Sequence, residues 1–382
     1  MNTSFQGICE AAAAAWSVPA VAVSTAVGDD VTSVAIGCEP DTVFRVASVT
    51  KPFTALLTVG LLGLEEETGV WPGDVRVRHL LSHTSGFDCE LAERDLARFG
   101  DGDDALAAVV DELPAVRRFL GVEQVWSYAN TGYWLAGHLA ARRADATFED
   151  TLAERVLRPF GLESTSFGEP GLDGTGLDAE EGPYPRARRP SGGLVSTAGD
   201  ILRFGRRLLA EPSFGQMRAA RGKPIGGVYG LGLFGERVGG VEVWGHTGSY
   251  GGFQSSLLLV PDADAVFVGL TNSSSGGKAL YDMENAFFES VLGGRRGVAS
   301  FVELAPDRLE LYAGGYENSD MSAEIRAVPG GLLLVAAGEE LFLRPLDERR
   351  FEVPDGPHVR ERIDFPRDGF VRLGSRLAVR IS

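Results

Sequence analysis

Three short runs, far apart in the chain, carry side chains suited to one piece of chemistry: Ser48-Val49-Thr50-Lys51, Tyr128-Ala129-Asn130 and His246-Thr247-Gly248-Ser249. Residues i and i+3 share a helical face, so the first run can turn a hydroxyl and an amine into one cleft. A serine hydroxyl is a weak nucleophile until a base takes its proton. A helix N-terminus adds N–H groups and positive potential for a developing oxyanion. Tyrosine near a lysine ammonium has its phenolate form favoured, which suits it to general base and acid work. Asn130 offers a donor and an acceptor, fit to orient an amide substrate and the lysine. His246-Thr247-Gly248 reads as the end of a β run, on an edge strand that pairs with an extended substrate. Glycine there permits close backbone approach, and the next N–H, that of Ser249, can donate to an oxyanion. Together these types describe acyl transfer through a covalent serine intermediate.

Each run also has a plain structural reading. Ser48 can cap a helix with Lys51 solvated, Tyr128 can be core beside Trp126 with Asn130 as an N-cap, and His246 can be a satisfied histidine in a turn. Two observations turn the first run toward chemistry. Lysine is scarce (only Lys51, Lys223 and Lys278), and the flanks of Ser48 and Lys51 are apolar, which puts the segment deep in the fold. Pro52 lacks an N–H and should fall at the edge of the first helical turn.

The elements that must position these side chains are legible in outline. An alanine-rich helix is expected over 5–17, then β runs at 19–26 and 31–36 around a Gly-Asp-Asp turn. A further β run at 43–46 leads into a long apolar helix from about 48 to 67. Helical patterns fill 75–157, with helices at 104–120, 131–144 and 148–157. Residues 161–193 read as a long Gly/Pro/Asp/Arg-rich loop, of the kind often used for binding. A helix follows at 197–209, then β runs at 228–234, 241–244, 252–260 and 265–271 and a helix at 277–291. Strands at both ends with helices between imply an α/β (α+β) fold: an antiparallel sheet flanked by helices and completed from both chain ends, with an inserted all-helical subdomain at roughly 75–195. From 306 onward, β runs at 309–312, 325–328, 332–336, 341–345, 370–373 and 377–381 read as a small all-β barrel or meander. The expected division is residues 1–298 and 299–382.

Composition narrows the partners. The 382 residues hold 36 Lys and Arg against 53 Asp and Glu, a net charge of −17. No basic run is present, so nucleic acid and anionic membrane surfaces are poor partners. Cys9, Cys38 and Cys89 form no CxxC pair. They read as free thiols in a reducing compartment, one isolated disulfide remaining open. The first basic residue is Arg45 and no apolar run reaches a membrane span, so a cytoplasmic protein is expected. His79 and His83 are spaced i, i+4, but no glutamate follows His79, so they are not a zinc-protease pair. Gly230 to Gly235 fits GxGxxG but leads into a charged turn and a strand, and reads as a glycine-rich strand. There is no Walker A run and no GxSxG elbow. No cofactor and no metal are expected, and the oligomeric state is unknown.

The ordered set SxxK, YxN and HTG, with its flanks, resembles the serine hydrolases related to class C β-lactamases and penicillin-recognising D,D-peptidases. The flanks are FRVASVTKPFTA (from Phe44), LLSHTSGF (from Leu80), GGLVSTAGDILRF (from Gly192) and WGHTGSYGGF (from Trp244). The resemblance covers roughly residues 8–293. It implies that Ser48 is the acylated nucleophile, Lys51 its activator, and Tyr128 the base that passes the proton to the leaving group and later activates water. It implies that Asn130 contacts the substrate amide and the lysine, and that the N–H groups of Ser48 and Ser249 form the oxyanion hole. Thr247 and Gly248 fall within the substrate-binding strand, and His83 in a segment whose resemblance is structural. His246 stands where β-lactamases carry the lysine of KTG. Family members with histidine there are commonly esterases, amidases or D-amino-acid peptidases. The expected activity is therefore hydrolysis of an amide or ester bond in a small acyl or peptide substrate. An acyltransferase or thioesterase, a β-lactamase, and a non-catalytic acyl-trapping sensor are the alternatives. The run Leu311-Tyr312-Ala313-Gly314-Gly315-Tyr316 resembles the start of small lipocalin-like domains that follow some family members, either as a stabilising appendage or as a lid on the cleft.

Overall fold

The computed structural model describes residues 4–71, 73–88, 96–176, 179, 183–355, 358 and 360–381; Cys89 lies outside them. Cys9 and Cys38 are free thiols. No described helix is long and apolar enough to cross a membrane.

The Ser4 hydroxyl accepts from the Gly7 N–H and starts α1 (Phe5–Ala15), which buries Cys9, Ala12 and Ala13. A hairpin of β1 (Val21–Val27) and β2 (Asp30–Ile36) follows. The chain then passes through β3 (Phe44–Arg45) and a 3₁₀ turn, Ala47–Val49, into α2 (Thr50–Leu61). This helix is shorter than its apolar pattern predicts. Gly63 closes a turn of its own, its N–H donating to Glu66 Oε1 at 2.6 Å and its carbonyl accepting from the Glu66 N–H at 3.0 Å.

The inserted helical layer holds α3 (Val77–Leu81), α4 (Ala105–Glu112), α5 (Asn130–Ala144) and α6 (Phe148–Leu152). The helix expected over 104–120 ends at Glu112, because the turn containing Pro114 tightens into a 3₁₀ form. The one expected over 148–157 continues through a π turn (Ala153–Leu157) and α7 (Arg158–Phe160) until Gly161 takes a left-handed conformation. The stretch 161–193, expected as loop, contains α8 (Arg189–Gly192). It leads to β4 (Val195–Ser196), which pairs with β3.

Next come α9 (Ala198–Ala210), capped by Thr197, and α10 (Phe214–Met217). The last strands of the main sheet are β5 (Val228–Tyr229), β6 (Phe234–Val238), β7 (Val241–Tyr250), β8 (Phe253–Val260) and β9 (Ala265–Thr271), before α11 (Gly276–Leu292). The glycine-rich stretch is a turn between β5 and β6, not a continuous strand. At Gly232, φ is +75°, and a Cβ there would lie 3.0 Å from the Lys51 carbonyl, so the turn folds directly onto α2. In the other direction, β7 runs six residues past the expected end at 244, which places His246 to Ser249 inside a strand.

The sheet order is β2-β1-β9-β8-β7-β6-β5, antiparallel throughout, so the amino-terminal hairpin completes a sheet made mostly from residues 228–271. On one face, α1 and α11 bury Val21, Val23, Phe267, Met283 and Phe287. On the other, α9 covers β1, β8 and β9, and α2 packs beyond it against α5 and α8. Residues 294–305, free of helix and strand, contain the expected 298/299 division.

Beyond them, residues 309–312 are not a β run. Pro306 starts α12 (Pro306–Glu310), its missing N–H costing nothing at a helix start. Eight strands then close an antiparallel barrel: β10 (Gly314–Glu317), β11 (Ser322–Val328), β12 (Gly331–Ala336), β13 (Glu339–Pro345), β14 (Arg350–Glu352), β15 (Arg362–Asp364), β16 (Phe370–Leu373) and β17 (Arg376–Arg380). Tyr316, Ile325, Leu332, Phe351, Phe365 and Val371 fill it.

The Phe53 ring on α2 stacks on Phe204 of α9 with centroids 3.6 Å apart, and both are fully buried. This contact ties the helix behind Ser48 to the layer on the sheet. Phe53→Ala is expected to cost about 3–5 kcal/mol of stability in urea unfolding; a loss under 1 kcal/mol would show that α2 is held by other contacts.

Candidate active site

Ser48 lies half-buried in the 3₁₀ turn before α2. Its predecessor Ala47 has φ +44°, a left-handed conformation that costs a non-glycine residue on the order of 1–3 kcal/mol. Neighbouring elements hold the turn in place. The Val46 N–H donates to the Leu194 carbonyl at 3.1 Å, and the Val46 carbonyl accepts from Ser255 Oγ of β8 at 2.7 Å. Phe44 and Arg45 pair with Ser196 and Val195.

Lys51, one turn along, is 0% exposed rather than solvated. Its Nζ donates to Ser48 Oγ at 3.1 Å and to the Ser191 carbonyl at 2.6 Å. The ammonium lies 4.7 Å from the centroid of the Tyr128 ring and 5.3 Å from that of Tyr133. Ser191 is fixed in turn, its Oγ accepting from Trp134 Nε1 at 3.0 Å and donating to the Arg188 carbonyl at 2.9 Å.

Tyr128 sits in residues 125–129, which belong to no strand or helix. Its hydroxyl donates to Ser48 Oγ at 3.0 Å. Asn130 opens α5 two residues later at a buried position. Much of the support for this segment comes from His83. The His83 carbonyl accepts from the Ser127 N–H at 3.1 Å, and Nδ1 accepts from the Ala129 N–H at 3.1 Å. The ring proton is therefore on Nε2, which finds no partner among the described residues. Burial, aided by the Lys51 charge, holds His83 well below the usual histidine pKa.

His246 points from β7 toward the same pocket but is tied elsewhere. Its Nδ1 donates to the Thr247 carbonyl at 2.6 Å, which leaves Nε2 to accept from the Tyr229 hydroxyl at 3.1 Å. Burial first, and the Lys51 charge second, push its pKa down to about 3, so the imidazole is neutral at neutral pH. Its ring centroid is 6.1 Å from that of Tyr128. Tyr229 and Tyr133 are held neutral by burial.

Gly248 is where β7 meets the nucleophile turn. A Cβ there would lie 2.4 Å from the Val46 carbonyl and 2.9 Å from the Ser48 nitrogen. Only glycine lets the two backbones touch. Thr247 and Ser249 alternate to the exposed side. Pairing between β6 and β7 ends at Gly245, so among the described residues no second strand pairs with 246–249 on the side away from β8. That open edge can accept an extended chain by backbone hydrogen bonding. A separate cavity of about 790 Å³ lies on the α11 side of the sheet, lined by Thr247, Gln254, Ser256, Lys278 and Tyr281 among others and by none of Ser48, Lys51 and Tyr128.

Ser48, Lys51 and Tyr128 thus meet at one hydroxyl, Gly248 and His246 stand against them, and Thr247 and Ser249 face outward. Four contributors escape a reading of the sequence. Nothing in residue type marks the Ser191 carbonyl as a lysine acceptor. Tyr229 is one of eight tyrosines. His83 has only its place in LLSHTSGF as a signal. The Ser375 carbonyl, which accepts from the Tyr128 N–H at 2.9 Å, belongs to the distant barrel. Among the described residues, no group of His, Cys, Asp or Glu is arranged to hold a metal ion.

Comparison with known proteins bears on the family and the fold. A family model described as Beta-lactamase matches residues 7–287. "Penicillin-binding protein 4" of Amycolatopsis lactamdurans is 29% identical over 316 residues, covering 70% of this chain and 80% of that protein. The crystal structure of SurE with D-Leu superposes with a TM-score of 0.79 at 23% identity, covering 99% of this chain and 98% of that one. A D-stereospecific amidohydrolase from Streptomyces sp. superposes with a TM-score of 0.58 at 25% identity, over 72% of this chain and 96% of its own.

The buried histidines fix how the fold answers acid. The folded pKa of His246, about 3, lies below the ordinary 6.5, so the folded state resists a proton that the unfolded chain accepts. The stability this contributes is fully present above pH 6.5, and it is lost as pH falls through that value toward 3. His83 acts in the same direction. The melting temperature is expected to drop across this interval, with a shallower drop in His246→Gln. Identical slopes for the two proteins would remove His246 as a source.

Proposed function

The chain belongs to the Beta-lactamase family, and from that premise we propose that it is a serine hydrolase cleaving an amide or ester bond of a small acyl or peptide substrate through an acyl-enzyme on Ser48. The observation that carries the reading is one hydroxyl with an amine at 3.1 Å and a phenol at 3.0 Å.

For the first step Tyr128 releases to solvent the proton it donates to Ser48 in the resting site, and the phenolate, favoured by the Lys51 ammonium, takes the Ser48 proton while Oγ bonds to the substrate carbonyl carbon. The Lys51 ammonium beside both groups stabilises the negative charge as it moves from phenolate to oxyanion. The N–H groups of Ser48 and Ser249 receive the oxyanion. Collapse of the tetrahedral intermediate breaks the bond to the leaving group, which takes the proton back from Tyr128. Water then repeats the sequence: Tyr128 takes its proton, and Ser48 leaves as the regenerated hydroxyl. Asn130 orients the substrate amide, and the free edge at Thr247 and Gly248 pairs with its backbone.

His246 is neutral and bonded to Tyr229, so it supplies no cation for a substrate carboxylate. This favours esters, amides and peptides over β-lactams. The name of the D-stereospecific amidohydrolase supports substrates with a D-configured residue.

Intact-mass labelling with a fluorophosphonate tests the nucleophile. One adduct is expected on the wild type and none on Ser48→Ala; equal labelling would end the assignment. With p-nitrophenyl esters and paired D- and L-amino-acid amides, kcat/KM is expected to fall at least 100-fold in Lys51→Ala and roughly 10²–10⁴-fold in Tyr128→Phe, with D-amides preferred. Faster turnover of a chromogenic cephalosporin would favour the β-lactamase alternative. Diversion of the acyl group to an added amine in preference to water would favour the acyltransferase.

A further inference from the structure

Residues 125–129 carry Tyr128 yet belong to no strand or helix, so their buried backbone groups must find partners elsewhere. Two come from His83, on the helical side. Two more, and a bond to the Ser127 side chain, come from the carboxy-terminal barrel. The Trp126 carbonyl accepts from Arg372 Nη1 at 3.2 Å, Ser127 Oγ accepts from the Leu377 N–H at 3.1 Å, and the Tyr128 N–H donates to the Ser375 carbonyl at 2.9 Å. Three consecutive residues ending at the phenol are thus each bonded to the β16–β17 hairpin.

Arg372 is the centre of this contact. It is 3% exposed, and its guanidinium forks onto Asp364 of β15 with Nε–Oδ1 at 2.8 Å and Nη2–Oδ2 at 2.7 Å. The same Nη1 that reaches Trp126 also donates to the Lys223 carbonyl at 2.8 Å, and the cation lies 5.4 Å from the centroid of the Trp126 ring. A planar fork held by a carboxylate on one side has its remaining donors fixed in direction. A second anchor seats the barrel on the His83 side. The nearly buried Asp88 carboxylate accepts from the Ser319 N–H and hydroxyl, both at 3.0 Å.

We propose that Arg372, oriented by Asp364, is a positioning residue for Tyr128: the barrel sets the distance from the phenol to Ser48, so proton transfer depends on the barrel being seated. This rests on the role given to Tyr128 above. It makes the barrel part of the reaction centre rather than an appendage. A sub-ångström shift of residues 126–128 would lengthen a 3.0 Å hydrogen bond at the reacting hydroxyl, and rates are sensitive to displacements of that size.

The test separates positioning from stability. Arg372→Met alone leaves the Asp364 charge buried and unpaired, so it should lower both melting temperature and kcat. The double variant Asp364→Leu/Arg372→Met removes the pair together. Its melting temperature should recover, while kcat on a p-nitrophenyl ester stays roughly tenfold or more below wild type at unchanged KM. Recovery of kcat along with stability would overturn the proposal. Ser127→Ala, which removes only the acceptor of the Leu377 N–H, is the milder arm should the double variant not fold. About a threefold or larger loss of kcat at constant KM is expected, alongside a modest fall in melting temperature from the unpaired Leu377 N–H, and an unchanged kcat would count as refutation. Tyr128→Phe is measured in parallel. If it keeps the wild-type rate, the catalytic reading of Tyr128 fails. If it is inactive while the double variant runs at wild-type rate, positioning alone fails.

Discussion

A lysine ammonium with no access to water organises this molecule. Burying an uncompensated charge is prohibitively costly, so the fold must bring polar groups to it. At Lys51 these are the Ser191 carbonyl, the Ser48 hydroxyl and the faces of two aromatic rings. They come from three parts of the chain, near residues 48, 130 and 191. Ser191 requires α8 to dock on α2, and Tyr128 requires the stretch before α5 to run past the start of α2. Arranging groups around the cation is therefore the same task as assembling the site.

The sheet supplies the second constraint. Because β7 passes within van der Waals reach of the Ser48 nitrogen, position 248 has no room for a side chain. Among the described residues, the early end of β6 pairing leaves 246–249 of β7 without a second strand partner. One strand thus contributes close backbone approach, a free hydrogen-bonding edge and a buried imidazole. That imidazole is desolvated and locked between a carbonyl and Tyr229, so it adds shape and hydrogen bonding to the pocket but no positive charge at neutral pH.

The carboxy-terminal barrel extends this logic. It is closed and has its own apolar interior, so it needs nothing from the rest of the chain to satisfy its strands. Yet a buried arginine and a hairpin carbonyl of the barrel are spent on main-chain groups beside Tyr128. A segment with no ladder of its own is thereby held from both sides, by His83 and by the barrel.

How far the site is legible in the sequence depends on which interactions are local. The i, i+3 geometry of Ser48 and Lys51, the alternation of the strands and the order of helices and strands are properties of short windows, and they emerge from residue types alone. Element ends are less legible. The ends of α2 and α4 depend on a glutamate side chain capturing a glycine N–H and on a 3₁₀ turn at Pro114, and the length of β7 depends on pairing with β8. The main-chain acceptor of Lys51, the Tyr229 partner of His246 and the barrel's hold on residues 126–128 lie far from their partners in the chain and involve backbone atoms or ordinary residue types. The sequence by itself determined which side chains could react and roughly which elements carry them. Only the tertiary structure decided their partners and their charge states, because burial and long-range hydrogen bonding, which set both, do not exist until distant segments have packed together.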